Sequence, residues 1–362
     1  MSSLILHRYM IRQFLTPFII GLVTFTFILV LHYLFLMMDM FLNRGVDLWI
    51  IVRMSSLVLT MLLPLSIPMA TLLAALLSYG RLSEDGELIA LRSSGCALFQ
   101  YSLPNFLLAL CFSLILVYFN LILVPQATRG FKELHLRVVQ KNPLALFAPK
   151  VMNHFGEYKV FVEQMDRRKK KLKGISIYKM NLEGGPTRIL APEGMINSED
   201  GITLQMVNGA IHQPSPEKEN EYSITKFNKL ALRMPTQEED SLRVFSPREM
   251  TLGELKNKMK EEVGKKFNIA PLQTEKHLRI SVAFAPFVFI VLGTALGVSL
   301  KKGGKSISIG ISIVIIVIYY GLLVLTTSLA SQGFLFPSFL VWTPNLVALA
   351  VGMPLLFRLA KQ

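Results

Sequence analysis

Six apolar stretches, interrupted once by a long polar insert, constrain this chain more than any other feature. A helix needs about 20 predominantly apolar residues to cross the hydrocarbon core of a bilayer. Residues 14–38, 55–79, 101–124, 280–300, 306–328 and 338–357 meet that requirement. Pro64 and Pro68 mark expected kinks in the second. Between the third and fourth, residues 125–278 have the mixed composition of a soluble domain. Only 17% of the 362 residues are charged, against about 25% in soluble proteins, and the deficit is concentrated in the apolar stretches. The expected fold is therefore a helical membrane protein with three spans on each side of a folded insert: residues 1–124, 125–278 and 279–362.

Short-loop Lys and Arg prefer the cytoplasm and set the expected orientation. Placing the N-terminus inside also puts Arg8, Arg12, Arg81, Arg92, Lys301, Lys302, Lys305, Arg358 and Lys361 inside. Of the short-loop cations only Arg44 and Arg53 fall outside. Both termini are then cytoplasmic and the insert is extracytoplasmic. The first apolar run is too long for the core of a signal peptide and reads as an uncleaved span.

The apolar windows contain no Asp, Glu, Lys or Arg, and His32 is their one ionisable candidate. Ion-coupled pumps generally need buried ionisable groups, so the energy source is expected on another chain. The two cysteines, Cys96 and Cys111, fit neither a disulfide framework nor a metal site. The sequence Gly304-Lys305-Ser306 imitates the end of a phosphate-binding loop. The loop's first glycine would fall at Ser299, and a membrane helix stands where a strand is required. With no catalytic triad or paired-carboxylate site either, the chain reads as a non-enzyme. The formal charge of +14, about half of it in the insert, suits anionic lipid headgroups and equally suits solubility and topology.

The insert alternates in the manner of strands at residues 158–162, 175–178, 202–207 and 222–225, with turn residues at 183–186, 199–201 and 214–216. This is the pattern of a β-sandwich or jelly roll, whose open edge can accept a partner's strand. The basic run at residues 167–171 reads as a solvated hairpin tip or as a phosphate contact. Thr251 and Glu254 form a capping-box pattern ahead of Leu252, Leu255, Met259 and Val263 at helical spacing. That amphipathic helix is expected on the membrane surface or against the β domain.

The most informative loop joins the second and third spans. Ser83 is a suitable N-cap, Glu84 and Asp85 suit a helix start, Arg92 suits its end, and Gly95 suits a stop. A helix over about 83–94 follows. Glu87 and Leu91 are four apart and share a face, the arrangement by which a short helix docks in a partner's groove. A plain surface linker has the same composition.

This loop resembles the coupling helix of the LptF/LptG permeases, the membrane subunits of the bacterial lipopolysaccharide exporter. The matching residues are Gly80, Leu82, Glu87, Leu88, Ala90 and Gly95. Arg8-Tyr9 with Arg12 and Phe14, Leu63-Pro64-Leu65, and Val124-Pro125-Gln126 also match, in order, across essentially the whole chain. The run Pro64-Leu65-Ser66-Ile67-Pro68 and residues 43–46 are closer to the F-type subunit. The resemblance implies an inner-membrane permease that extracts lipopolysaccharide and pairs with a second permease. It also implies a dimeric ABC ATPase carrying ATP and magnesium, no cofactor in this chain, and lateral gates at the first and fifth spans. A periplasmic β-jelly-roll would pass lipid to jelly-roll bridge proteins, in service of outer-membrane biogenesis. ATPase coupling would fall to Arg81, Glu84, Glu87, Leu88, Leu91 and Arg92. Substrate phosphates would meet Arg44, Arg53, Arg129 and Lys132, at the outer ends of the first three spans; generic contact with anionic lipid is the competing role for these cations.

Two other classes compete. Lipoprotein-release and efflux permeases place their large domain after the first span, whereas here it follows the third. A membrane-anchored assembly or receptor protein would bind a partner through its β domain and need no coupling helix.

Overall fold

The structure is a computed structural model. It describes residues 3–44, 47–141, 150–155, 157–166, 171–179, 187–197, 203–214, 222–233, 246–263, 268–300, 304–333 and 336–361. The chain forms two compact units, one of residues 1–35, 55–130 and 247–362, the other of residues 36–54 and 131–246.

The helices run in chain order: α1 (Ser3–Arg44), α2 (Leu48–Glu84), α3 (Glu87–Ser93), α4 (Leu98–Tyr118), a π turn (Phe119–Leu123) and α5 (Val124–Lys141). After the sheet come a 3-10 turn (Pro247–Glu249), α6 (Leu252–Val263), α7 (Ala270–Ser299), α8 (Gly304–Ser331) and α9 (Pro337–Ala360). Among the described residues six helices are long and apolar enough to cross a membrane, and they contain the six apolar windows. Most extend beyond those windows. Helix α2 continues through Pro64 and Pro68 as far as Glu84.

In the helical unit α7 is the most buried of the six and packs against α4, α8 and α9. Its inner face is lined by Ala283, Ala285, Val288, Phe289, Ile290, Leu292 and Ala295. Small residues let α2 approach it closely. A Cβ on Gly293 would lie 2.6 Å from Ala75 Cβ, and one on Gly297 would lie 2.9 Å from Tyr79 Cβ. This small-xxx-small spacing brings membrane helices together where burial of apolar area cannot drive association. Buried polar side chains join the rest. Tyr319 donates to Asn345 Oδ1 at 2.8 Å, Asn345 donates to Ser281 O at 2.8 Å, and Ser281 donates to Val341 O at 3.0 Å. These bonds link α7, α8 and α9, and each avoids the cost of an unpaired polar group in an apolar setting.

The predicted amphipathic helix forms as α6 with its capping box. Thr251 N donates to Glu254 Oε2 at 2.8 Å, and Glu254 N donates to Thr251 Oγ1 at 3.4 Å. Its apolar face meets the head of α7. Leu255 and Met250 bury against Leu272 of α7, with Met259 beside them.

The second unit contains one six-stranded antiparallel sheet in chain order: β1 (Met152–Phe155), β2 (Tyr158–Asp166), β3 (Lys171–Lys179), β4 (Thr187–Asn197), β5 (Thr203–Pro214) and β6 (Tyr222–Arg233). Register is set by alternation: Val160 faces Ile177, Val162 faces Ile175, and Ile177 faces Ile189 across the ladders. These residues bury together with Leu172, Leu204 and Met206 in the domain's own core. Strands β1 and β4 are additions to the four read from the sequence. The turns at 183–186 and 199–201, and residues 167–170 of the basic run, lie outside the described residues.

Candidate functional site

The predicted loop helix is shorter than expected and starts later. Ser83 is not its N-cap: it lies in the last turn of α2, where its hydroxyl donates to Val298 O of α7 at 3.1 Å. The chain turns at Gly86, whose φ of 72° favours glycine, and α3 begins at Glu87. The predicted stop at Gly95 forms with φ 82°.

Two of the side-chain hydrogen bonds of α3 reach the chain ends. Tyr9 of α1 donates to Glu87 Oε2 at 2.7 Å, and Gln13 donates to Tyr9 Oη at 2.9 Å. On the other side Arg92 donates to Leu359 O at 3.2 Å, supplying a partner to a carbonyl in the last turn of α9. Leu88 is buried and Leu91 packs beside it against the core formed with Met10, Leu82, Leu98 and Leu356. The site thus gathers the start of α1, the end of α2 and the end of α9 around one short helix. These are loops and termini that the charge pattern assigns to one side of the membrane.

The six expected coupling residues divide by exposure. Leu88, Leu91 and Arg92 face the chain's own bundle. Arg81 pairs with Asp85 at 3.3 Å, both about half exposed. Glu84 is exposed and Glu87 is half-buried. The outward apolar residue is Ile89, 70% exposed, followed by Ala90 and Ser93. Leu88 and Leu91, the anchors expected to face outward, turn inward instead and leave Ile89 exposed. The sequence reading passed over Tyr9 as a hydrogen-bond donor, since nothing in sequence spacing links it to Glu87.

The four expected phosphate contacts divide between the two units. Arg129 belongs to the helical unit, where it is already engaged: it pairs with Glu254 and donates to Glu249 O. Glu254 is held below the ordinary carboxylate value, first by the Arg129 guanidinium and then by Thr251 N–H. Arg44, Arg53 and Lys132 belong to the second unit. Arg53 is exposed and Lys132 half-buried. Both have interaction partners, and the side chain of Arg44 is outside the described residues.

A second cationic group escaped the sequence reading because α7 starts ten residues before its predicted window. Arg279 is buried and donates to Glu275 Oε1 at 3.0 Å, Met250 O at 2.8 Å and Pro247 O at 2.9 Å. It fixes the segment entering α6 onto the head of α7. His32, the expected intramembrane ionisable group, is exposed on α1 with its ring edge toward Tyr33.

The family model described as lipopolysaccharide export system permease LptF/LptG matches residues 8–358. The chain belongs to the LptF/LptG family. No curated protein matches it. The match takes in Tyr9, Glu87 and Arg92 and ends one residue before Leu359. As an LptF/LptG permease the chain is a multi-pass transport subunit and not an enzyme, and its helical and β units are the two parts found here.

Proposed function

We propose that this LptF/LptG permease extracts lipopolysaccharide from the bacterial inner membrane with force delivered to α3 by a separate dimeric ABC ATPase. The observation that supports this reading is the double tether of α3, to α1 through Tyr9–Glu87 and to α9 through Arg92–Leu359. A helix docked on an ATPase and bound to two membrane helices passes the ATPase's motion into the bundle. The coupling residues then have two tasks. Glu84, Glu87 and Ile89 meet the ATPase, with Arg81 beside them. Leu88, Leu91 and Arg92 pass the displacement inward. Both termini are cytoplasmic, the β unit is periplasmic, and a second permease of the family completes the lipid path. The β unit then hands lipid to a jelly-roll bridge, and Arg44, Arg53 and Lys132 are its candidate phosphate contacts. Arg129 joins them only by exchanging its Glu254 partner.

Native purification of the chain with its co-expressed subunits is the test. An ABC ATPase, a second permease and lipopolysaccharide should accompany it. Glu87→Ala should leave that assembly intact and reduce ATP-driven lipid release roughly tenfold, the scale of one charge-assisted hydrogen bond. Unchanged release would defeat the coupling role. Purification with a bridge protein but no ATPase would instead indicate a membrane-anchored receptor.

A further inference from the structure

The helical unit has an open cleft of about 480 Å³ between α1 and α2, lined by Tyr9, Arg12, Gln13, Thr16, Pro17, Ile20, Leu77, Ser78 and Arg81. The proposed transport uses two of its lining residues, Tyr9 and Arg81, and gives the cleft itself no ligand. Its volume lies in the range of roughly 300–1,000 Å³ typical of small-molecule sites.

The cleft has two chemically different ends. Arg12 and Arg81 stand at one, with Gln13 and Thr16 beside Arg12. Arg81 gives its Nε to Asp85, which leaves the rest of its guanidinium for another acceptor. The Arg12 guanidinium is exposed and has no ion-pair or hydrogen-bond partner among the described residues. Toward the other end the lining is apolar: Pro17, Ile20 and Leu77. At 1.5 Å per residue, Ile20 lies about 12 Å along α1 from Arg12. Ile20 is 62% exposed, so this end opens on the lipid-facing surface of α1.

The base of the cleft is fixed by the sequence. Pro17 has no N–H, so the Gln13 carbonyl four residues earlier loses its partner within α1. Ser78 of α2 supplies one, donating to Gln13 O at 2.9 Å. The two helices are joined there.

We propose that this cleft binds an anionic phospholipid of the membrane leaflet that faces the chain termini, its phosphate between Arg12 and Arg81 and one acyl chain along Pro17, Ile20 and Leu77. Charge complementarity selects the headgroup, and the opening at Ile20 selects a ligand with a hydrocarbon tail over a free phosphate. Of the nearby carboxylates Asp85 and Glu87 already have partners, Arg81 and Tyr9 respectively, and Glu84 lies exposed one turn along α2 from Arg81. The site does not depend on the ATPase reading, because the lipid is a resident ligand and not the cargo.

The test places the full-length protein in nanodiscs of mixed phosphatidylglycerol and phosphatidylcholine, then counts retained lipid by native mass spectrometry after detergent release. The wild type should retain phosphatidylglycerol in preference to phosphatidylcholine. R12Q and R81Q should each lower that retention several-fold, and R358Q, which removes a charge from the same end of the bundle, should not. Phosphatidylglycerol with a photoreactive acyl chain should label wild-type peptides containing Ile20 or Leu77, a readout that does not require the variants to fold. Equal retention in R12Q and R81Q, an equal loss in R358Q, or labelling that spares both peptides overturns the proposal. Unchanged lipid retention with loss of a co-purifying subunit in R12Q reassigns the cleft to a protein carboxylate.

Discussion

At the scale of single residues the site depends on hydrogen bonds between side chains far apart in sequence. Tyr9 and Glu87 lie in different helices, and a one-dimensional reading has no rule that joins them. The same reading took Ser83 for a cap because Ser is a favoured N-cap and Glu84 and Asp85 follow it. In the fold α2 absorbs that segment, since Ser83 gains a better partner in Val298 O. Gly95 was legible because a positive φ is a local property of the chain. Tyr9→Phe should leave α3 folded, as Leu88 stays buried, but free Glu87 from α1. ATP-driven lipid release should fall several-fold while ATPase co-purification is unchanged, and equal release would show that the tether carries no force. Glu254 gives a pH prediction with a definite sign. Its folded pKa is depressed, so the Arg129–Glu254 pair contributes above the unfolded value and is lost as pH falls through the folded one. The pair is half exposed and solvent screens it. Hydrogen exchange in residues 247–263 should therefore be slower in the wild type than in Glu254→Gln at neutral pH, and the two should converge in acid.

At the scale of elements, length and polarity decided what could be read. Apolar windows identified all six membrane helices because a bilayer demands a run that no soluble helix needs. The same windows hide the polar ends: Glu275 falls in the expected insert and Arg279 just ahead of the expected fourth span, although α7 includes both. Gly293 and Gly297 are four apart and were legible as a close-packing motif. They were passed over because glycine in an apolar run changes neither hydropathy nor charge. The contact is tight: at Gly293 an added methyl meets Ala75 Cβ at 2.6 Å, a separation that real Cβ atoms do not show. Gly293→Ala should cost about 1–3 kcal/mol through overpacking and lower the melting temperature in detergent. Gly310→Ala on α8, where an added Cβ meets nothing within 4 Å, is the control and should be neutral or slightly stabilising. Equal melting temperatures for the two variants would mean that α2 and α7 are not packed as described. Arg279→Ala strands three carbonyls and leaves Glu275 only Arg248, 3.9 Å away, and breaking a buried pair costs about 3–5 kcal/mol. The segment entering α6 should then open to protease before the rest of the helical unit does.

At the scale of the whole molecule the division of labour follows from where charge is placed. The β unit was legible in outline because alternation with period two survives in β2, β3, β5 and β6. Strand β4 is not legible, since Leu190-Ala191-Pro192 breaks its pattern, although it pairs with its sequence neighbours β3 and β5. The helical unit is the opposite case: its elements were evident and its contacts were not, because lipid-facing and protein-facing apolar residues look alike in sequence. Val317, Val324 and Phe27 are each at least 60% exposed, and so belong to the lipid-facing set, while Phe289 and Leu72 of similar character are fully buried. Charge resolves the question of energy better than hydropathy does. The six apolar windows hold no Asp, Glu, Lys or Arg, and two cations near helix ends are bound to neighbours, Arg279 by Glu275 and Arg92 by Leu359 O. A proton-driven cycle needs a carboxylate or histidine that changes charge inside the membrane, and His32 faces outward on α1. Lipid release from proteoliposomes holding the complete assembly should therefore depend on ATP and persist when an ionophore collapses the proton gradient. His32→Ala should leave that release unchanged. If the ionophore stopped release at constant ATP, the energy would enter through the membrane helices, and the double tether of α3 would have to be read as a structural clamp.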